Sequence, residues 1–340
     1  MPPLAERLDL AELTMLALGT SAEMPPKIGV GPRQPGSLAH AMPALLRGDA
    51  ADGSADLIGA KWITGFPANP DLGLPTYHAL VLLNDATTGE PVAVLDGGSI
   101  TAQRTAAVSG VVLRHLWSGG AGGRGAGRGA AGRVAARVAI LGAGAQARSH
   151  LQIVGHVLPG AEVRIVDVDL TRAANLAAEA RAVAGIGSAV SVASVPEAVE
   201  SADVVISMVS FGPDRQSLDQ AWLRPDAIFV AVDYDMQAPA ALAREAEFIV
   251  DERAQFLATR TGGTFAGYPD PDATIGELLR GAGATPGGRA SLDAGATLRG
   301  RGASGRILVT HLGVGLADVV FGAAILARAE QLGLGRLLPR

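Results

Sequence analysis

Short apolar runs alternate with amphipathic stretches between residues 134 and 251. The runs are Val138–Leu141, Val163–Val166, Ala189–Val192, Val204–Met208, Ile228–Val232 and Phe248–Val250. Their length and β-branched content predict strands. Between the second and third runs, apolar residues recur at helical spacing after Thr171, which is placed to cap the helix. Strands alternating with helices predict an α/β fold: a Rossmann-type, doubly wound parallel sheet. A ligand of such a sheet binds at the carboxyl ends of the strands, near the point where strand order reverses.

The first third is patterned differently. Ala60–Gly65, Ala79–Asn84 and Pro91–Leu95 predict strands, and the turn residues from Asn84 to Gly89 join the last two as a hairpin. Gly65–Pro75 reads as a loop by its Pro, Gly and Asn content. Ile100–Leu116 predicts a helix, capped by Ser99 or Thr101. Arg306–Leu332 predicts a short strand and then a helix. The expected organisation is an α+β domain over residues 1–117, completed by 306–340, and a Rossmann domain over 133–305. Ser118–Gly132 has the composition of a flexible linker, and Gly281–Gly305 that of a surface excursion.

Composition narrows the chemistry. A net charge of −5 over 340 residues argues against a nucleic-acid or membrane-surface partner. With no cysteine, disulfides and thiolate catalysis are excluded. The first residues lack the basic-then-apolar pattern of a signal peptide, and no apolar run reaches the ~18 residues of a membrane helix, so a cytoplasmic protein is expected. The six histidines show no metal-ligand spacing, and no catalytic metal is expected.

The most specific local signal follows the first run. Gly142-x-Gly144-x-x-Ala147, with Ala145 and Gln146 inside it, opens a helical stretch that leads to the second run and to Asp167. That is the order of a dinucleotide-binding βαβ unit. Gly142 permits the tight turn, Gly144 lets backbone approach a pyrophosphate, and Ala147 lets helix and strand pack closely. The helix N-terminus then offers unpaired N–H groups to the phosphates. Asp167 stands 23 positions after Gly144. A carboxylate there accepts from ribose hydroxyls and repels a 2′-phosphate, which predicts NAD(H) over NADP(H). Arg172, which would offset that repulsion, sits behind Asp169. The alternative is an ordinary βαβ unit with no ligand.

Further motifs share one order along the chain: Pro25-Pro26-Lys27, Met42-Pro43-Ala44, Lys61, Gly73-Leu74-Pro75, Thr101-Ala102-Gln103-Arg104-Thr105-Ala106-Ala107, the glycine loop, Asp233-x-Asp235, and Leu312-Gly313 leading to Asp318. In this order and spacing the chain resembles the ornithine cyclodeaminase/mu-crystallin family over roughly residues 25–330. The resemblance implies a homodimer built on the first domain and the C-terminal helix. It implies a nicotinamide cofactor and a small amino-acid or imino-acid substrate. The reactions it implies are cyclodeamination, amino-acid dehydrogenation and cyclic ketimine reduction, all centred on the C–N bond at the α-carbon. A second reading, from members that chiefly bind, is a nucleotide-dependent binding protein with little turnover.

The resemblance assigns residues. Lys61, in an apolar strand context, contacts the substrate carboxylate; the alternative is an outward-facing lysine on an edge strand. Lys27 stands where many members have a carboxylate-gripping arginine, so the charge is kept but the bidentate fork is lost. Arg104 approaches substrate and cofactor, and Thr105 a cofactor phosphate; a cation and a hydroxyl near a helix start suit an anion. Asp235 aligns with the acid/base aspartate of cyclodeaminases, with Asp233 as a second candidate. The glutamate that often follows is replaced by Pro239-Ala240-Ala241-Leu242. Asp318 lies near the nicotinamide pocket, or else caps its helix. His78 lines the pocket, or else is structural.

Overall fold

The structure, a computed structural model, describes residues 1–49, 53–118, 135–281 and 305–337. It forms two compact units, Met1–Arg104 with Val314–Arg340, and Thr105–Gly313.

The first unit opens with helix α1 (Leu4–Ala17). Six antiparallel strands follow: β1 (Ala22–Glu23), β2 (Ile28–Val30), β3 (Leu38–Leu46), β4 (Leu57–Gly65), β5 (Tyr77–Asn84) and β6 (Pro91–Asp96). They pair in the order β1-β3-β4-β5-β6, with β2 also on β3. The predicted hairpin is β5–β6, and Asp85 holds its turn by accepting from the Thr87 and Thr88 amides. β3 is not legible from the sequence, because Pro43 argues against an interior strand. The ladder explains it. β2 pairs with Ala39–Ala41 and β1 with Leu45 and Leu46, so Pro43 falls in the gap between them.

Helix α2 (Gly97–Ser118) starts before the predicted Ile100. Neither Ser99 nor Thr101 caps it. Asp96 accepts from the Gly98 amide (3.1 Å) and the Ser99 hydroxyl (3.3 Å), while Thr101 donates back to the Gly97 carbonyl (2.7 Å). The boundary between the units falls inside α2, after Arg104.

The second unit continues with β7 (Arg137–Leu141), α3 (Ala145–Val157), β8 (Ala161–Val166), α4 (Leu170–Ala180), β9 (Ile186–Ser191), α5 (Val195–Val199) and β10 (Val204–Ser207). Then come β11 (Ile228–Ala231), α6 (Ala240–Glu245), β12 (Glu247–Val250), α7 (Arg253–Thr261), β13 (Ala273–Thr274), α8 (Ile275–Gly281) and β14 (Ile307–Thr310). Among the described residues the strands form one parallel sheet in the order β13-β12-β14-β11-β10-β7-β8-β9. Every predicted strand of this region is present within a few residues. β10, β11, β12 and β14 are buried throughout, as strands covered on both faces must be. The N-cap of α4 is Asp169 rather than Thr171. Its carboxylate accepts from the Thr171 (2.9 Å) and Arg172 (3.1 Å) amides, two orphan donors that the threonine cannot satisfy.

The last helix, α9 (Gly315–Gln331), belongs to the first unit, but β14 does not. Residues 306–340 therefore do not all complete the first domain, contrary to expectation. β14 lies between β11 and β12, with Ile307 in register with both Ile228 and Glu247. A four-residue apolar run joins whichever sheet can bury it, and nothing local in its sequence says which. The predicted linker at 118–132, after Ser118, and the excursion at 281–305, between its end residues, lie outside the described residues. Among the described residues no helix is long and apolar enough to cross a membrane.

β7 sits between β8 and β10, so the order reverses there and the glycine loop follows its end. Gly142 has φ +97°, and a Cβ on it would lie 2.8 Å from the Met208 carbonyl oxygen. Gly144 has φ −85° and open space where its Cβ would be. Gly142→Ala is therefore expected to destabilise the second unit by about 1–3 kcal/mol, and Gly144→Ala to leave stability near wild type. Denaturant unfolding of the two variants checks this contrast.

Candidate functional site

In the first unit three charged side chains from distant parts of the chain meet in the interior. Lys61 comes from β4, Arg104 from α2 and Asp318 from α9. Strand pleating turns Lys61 to the inner face of the sheet, in register with Met42 and Val81. It is 1% exposed, so the alternative of an outward lysine is excluded. Its Nζ lies 2.7 Å from Asp318 Oδ2 and 3.4 Å from the Thr101 hydroxyl, while Arg104 Nε donates to Asp318 Oδ1 at 3.1 Å. Asp318 is fully buried. Val314, not Asp318, is the N-cap of α9, so capping does not explain the aspartate. Burial, aided by the Arg104 and Lys27 charges and opposed by Asp318, lowers the Lys61 pKa to about 7.

Arg104 is the eighth residue of α2. The expected dipole argument therefore fails for Arg104 and Thr105, since the effect fades within the first turn. What orders Arg104 is its ion pair. Thr105 is buried on the other side of the unit boundary. Lys27 is half-buried and precedes β2, whose first residue, Ile28, is in register with Ala41. That places Lys27 beside Met42, one strand from Lys61.

Two further residues deserve separate placement. His40 shares the inner face with Met42 and Lys61 by strand parity, and its ring packs on Gly29. Burial, with the charges of Lys27 and Lys61, holds its pKa below the ordinary histidine range. The sequence reading missed it, although the spacing His40-x-Met42 carried the signal once β3 was recognised as a strand. His78 goes the other way. It pairs with Thr64 on the outer face of the sheet and is exposed, so it is not brought together with Lys61. Its groove is lined by Trp62, Tyr77, Leu80 and Asp96.

In the second unit the glycine loop has the form its sequence predicts. Gly144 is the N-cap of α3 and no side chain caps the helix, so the first-turn amides of Ala145, Gln146 and Ala147 are not taken by a cap. Gly144 and Ala145 are exposed, and Ala147 is fully buried. Asp167 follows β8. Its Oδ2 accepts from the Ala143 amide (2.7 Å) and its Oδ1 from the Asp169 amide (2.8 Å), so the carboxylate also braces the loop. Each oxygen keeps a lone pair for a ribose hydroxyl. Arg172 pairs with Asp169 at 3.4 Å. The glycine space, the uncapped helix and this carboxylate fit a dinucleotide.

The Asp233-x-Asp235 segment follows β11. Asp233 accepts from the Ser207 hydroxyl (2.9 Å) and the Val209 amide (3.0 Å). Burial, opposed by those bonds, raises its pKa to about 7. Asp235 is buried as well. Its Oδ1 pairs with Arg215 and its Oδ2 accepts from the Phe265 amide (2.9 Å). Arg215 is 38% exposed.

The family model described as Ornithine cyclodeaminase/mu-crystallin family matches residues 6–293. A nodulation efficiency protein of Rhizobium meliloti is 32% identical over 337 residues, 99% of this chain and 94% of its own. An alanine dehydrogenase of Archaeoglobus fulgidus is 30% identical over 282 residues, 78% of this chain and 76% of its own. Among solved structures, a Thermococcus litoralis Δ1-pyrroline-2-carboxylate reductase with NADH and L-proline superposes with a TM-score of 0.73 at 22% identity, covering 99% of this chain and 96% of that one. An archaeal alanine dehydrogenase dimer with NAD gives 0.74 at 24% identity, covering 99% and 95%. At these identities the two structures show the shared fold.

Lys61 has a pH signature. The unfolded chain holds its proton up to the ordinary value of 10.5, and the folded chain releases it near 7. Between those values the unfolded state binds more protons, so this group's contribution to stability rises with pH. Below pH 7 the gain is absent. Lys61→Met removes the titrating group. Unfolding free energies at pH 7 and pH 9.5 should therefore rise less, or fall more, in the variant than in wild type.

Proposed function

The chain belongs to the ornithine cyclodeaminase/mu-crystallin family, and we propose that it is an NAD(H)-dependent enzyme acting on the C–N bond at the α-carbon of an amino acid or cyclic imino acid. The observation that carries this reading is the buried Lys61–Asp318–Arg104 cluster. Two cations share one carboxylate there, with Lys27 close enough to act on Lys61. With Lys61 protonated the buried cluster carries an excess of positive charge, which an anion completes, and the α-carboxylate supplies it.

Lys61, Arg104 and Lys27 hold that carboxylate. Gly142, Gly144, Ala145 and Gln146 hold the pyrophosphate with the first turn of α3, and Asp167 accepts from the ribose. Thr105 serves the same cofactor. The nicotinamide supplies or accepts a hydride at the α-carbon. Orientation and proton movement fall to the chain. With a pKa near 7, Lys61 is suited to hold or release a proton at neutral pH. Asp235 takes the second proton-handling role, on an attacking water or on the substrate's own amine, once the partly exposed Arg215 leaves its Oδ1. Asp318 holds the two cations rather than the cofactor. The Asp167 carboxylate, with Arg172 engaged on Asp169, favours NAD(H) over NADP(H).

The test incubates the protein with NAD and a panel of amino acids, and separately with NADH and cyclic imines. Nicotinamide absorbance, ammonia and product mass are followed together. NADH consumption without ammonia identifies a ketimine reductase. Net NADH with ammonia identifies a dehydrogenase, and ammonia with no net NADH a cyclodeaminase. Asp235→Asn should lower turnover at least a hundredfold and spare NADH binding. Ligand binding without turnover across the whole panel would replace the enzyme by a binding protein.

The functional unit we propose is a homodimer. α9 covers the inner face of the antiparallel sheet, with Val319 against Gly59 and Gly322 against Val81. The outer face leaves Trp62, Leu80 and Val94 about half exposed. An apolar sheet face of this kind marks an interface, and a second copy of the same face is its partner. Leu80→Lys should convert a dimer to a monomer in sedimentation velocity. A wild-type monomer would defeat the assignment.

A further inference from the structure

Three polar side chains lie buried together in the second unit, outside every role assigned above. Ser109 on α2, His150 on α3 and His311 directly after β14 are each at most 2% exposed. The Ser109 hydroxyl lies 3.0 Å from His150 Nε2 and 2.8 Å from His311 Nε2. His150 Nδ1 lies 2.8 Å from the carbonyl oxygen of Gln146.

These contacts, together with the burial of His150, select one arrangement of protons. A carbonyl oxygen only accepts, so His150 Nδ1 carries a proton. Burial lowers the His150 pKa to about 4, which leaves the ring neutral at pH 7 and its Nε2 bare. The Ser109 hydroxyl is the donor that Nε2 meets. Having given its only proton, the hydroxyl accepts from His311, which must carry hydrogen on Nε2. Donation therefore runs in one direction, from His311 to Ser109 to His150 to the Gln146 carbonyl.

The end of that relay matters. The Gln146 carbonyl belongs to the same peptide group as the Ala147 N–H. That N–H is in the first turn of α3, among the donors a helix leaves without an internal partner. Hydrogen bonds in series polarise one another. A proton donated to the carbonyl makes the N–H at the other pole a stronger donor.

We infer that Ser109, His150 and His311 are positioning residues for the dinucleotide, which orient and polarise the Gln146–Ala147 peptide group toward a pyrophosphate. This rests on the NAD(H) reading above. The test compares wild type with Ser109→Ala, which separates the two rings at the cost of one oxygen atom. Polarisation of roughly 10–30% on a hydrogen bond to a charged phosphate predicts about twofold weaker binding of NADH and of ADP-ribose. Adenosine, which has no phosphate, should bind both proteins equally, and the NADH KM should rise while kcat holds. A purely structural role would lower the melting temperature without separating ADP-ribose from adenosine. In wild type, long-range 15N NMR should show His150 protonated at Nδ1 and His311 at Nε2. That measurement decides the case even if Ser109→Ala does not fold. Equal ADP-ribose affinity, or a His150 ring protonated on Nε2, overturns the relay alone. A wild-type protein that binds neither NADH nor ADP-ribose overturns the dinucleotide reading and this role with it.

Discussion

A carboxylate buried between two cations organises the first unit. Asp318 can be fully buried because Lys61 and Arg104 meet it at 2.7 and 3.1 Å, and the cations can be buried because Asp318 is there. Removing one partner of such a set strands the others, at about 3–5 kcal/mol in comparable cases. The three residues come from a strand and two helices, so the cluster ties α9 and the first eight residues of α2 to the antiparallel sheet. With Lys61 protonated, it also leaves a surplus of positive charge in the interior. Such an arrangement is weak evidence for stability, and a buried charge set of this kind more often serves a site.

The second unit uses backbone rather than charge. Its parallel sheet reverses order at β7, and the chain leaves that strand through a glycine whose conformation and packing exclude a side chain. Asp167 braces the loop through the Ala143 amide while keeping lone pairs for a ligand. The Ser109–His150–His311 relay reaches the same helix turn from the opposite pole of its peptide group. Loop, carboxylate and relay bear on one short stretch of backbone, the stretch a pyrophosphate would approach.

Some expectations failed for instructive reasons. His78 follows a loop that leads into β5, but strand parity puts it on the face opposite Lys61. β3 was hidden by Pro43, whose missing N–H falls where the edge is unpaired. The deciding neighbours lie on other strands, and the charge partners Arg104 and Asp318 are 214 residues apart.

The sequence by itself determined the strand-and-helix alternation of the second unit, the hairpin of the first and the glycine loop with its aspartate. These features depend on side-chain period, turn chemistry and backbone freedom, which are properties of neighbouring residues. It also marked Lys61 and Arg104 as residues of interest through their resemblance to a family. Only the tertiary structure decided that Asp318 joins them, that β14 belongs to the parallel sheet, and that His40 rather than His78 shares the face of Lys61. Burial and charge compensation are relations between remote segments, and they exist only once the sheets have formed.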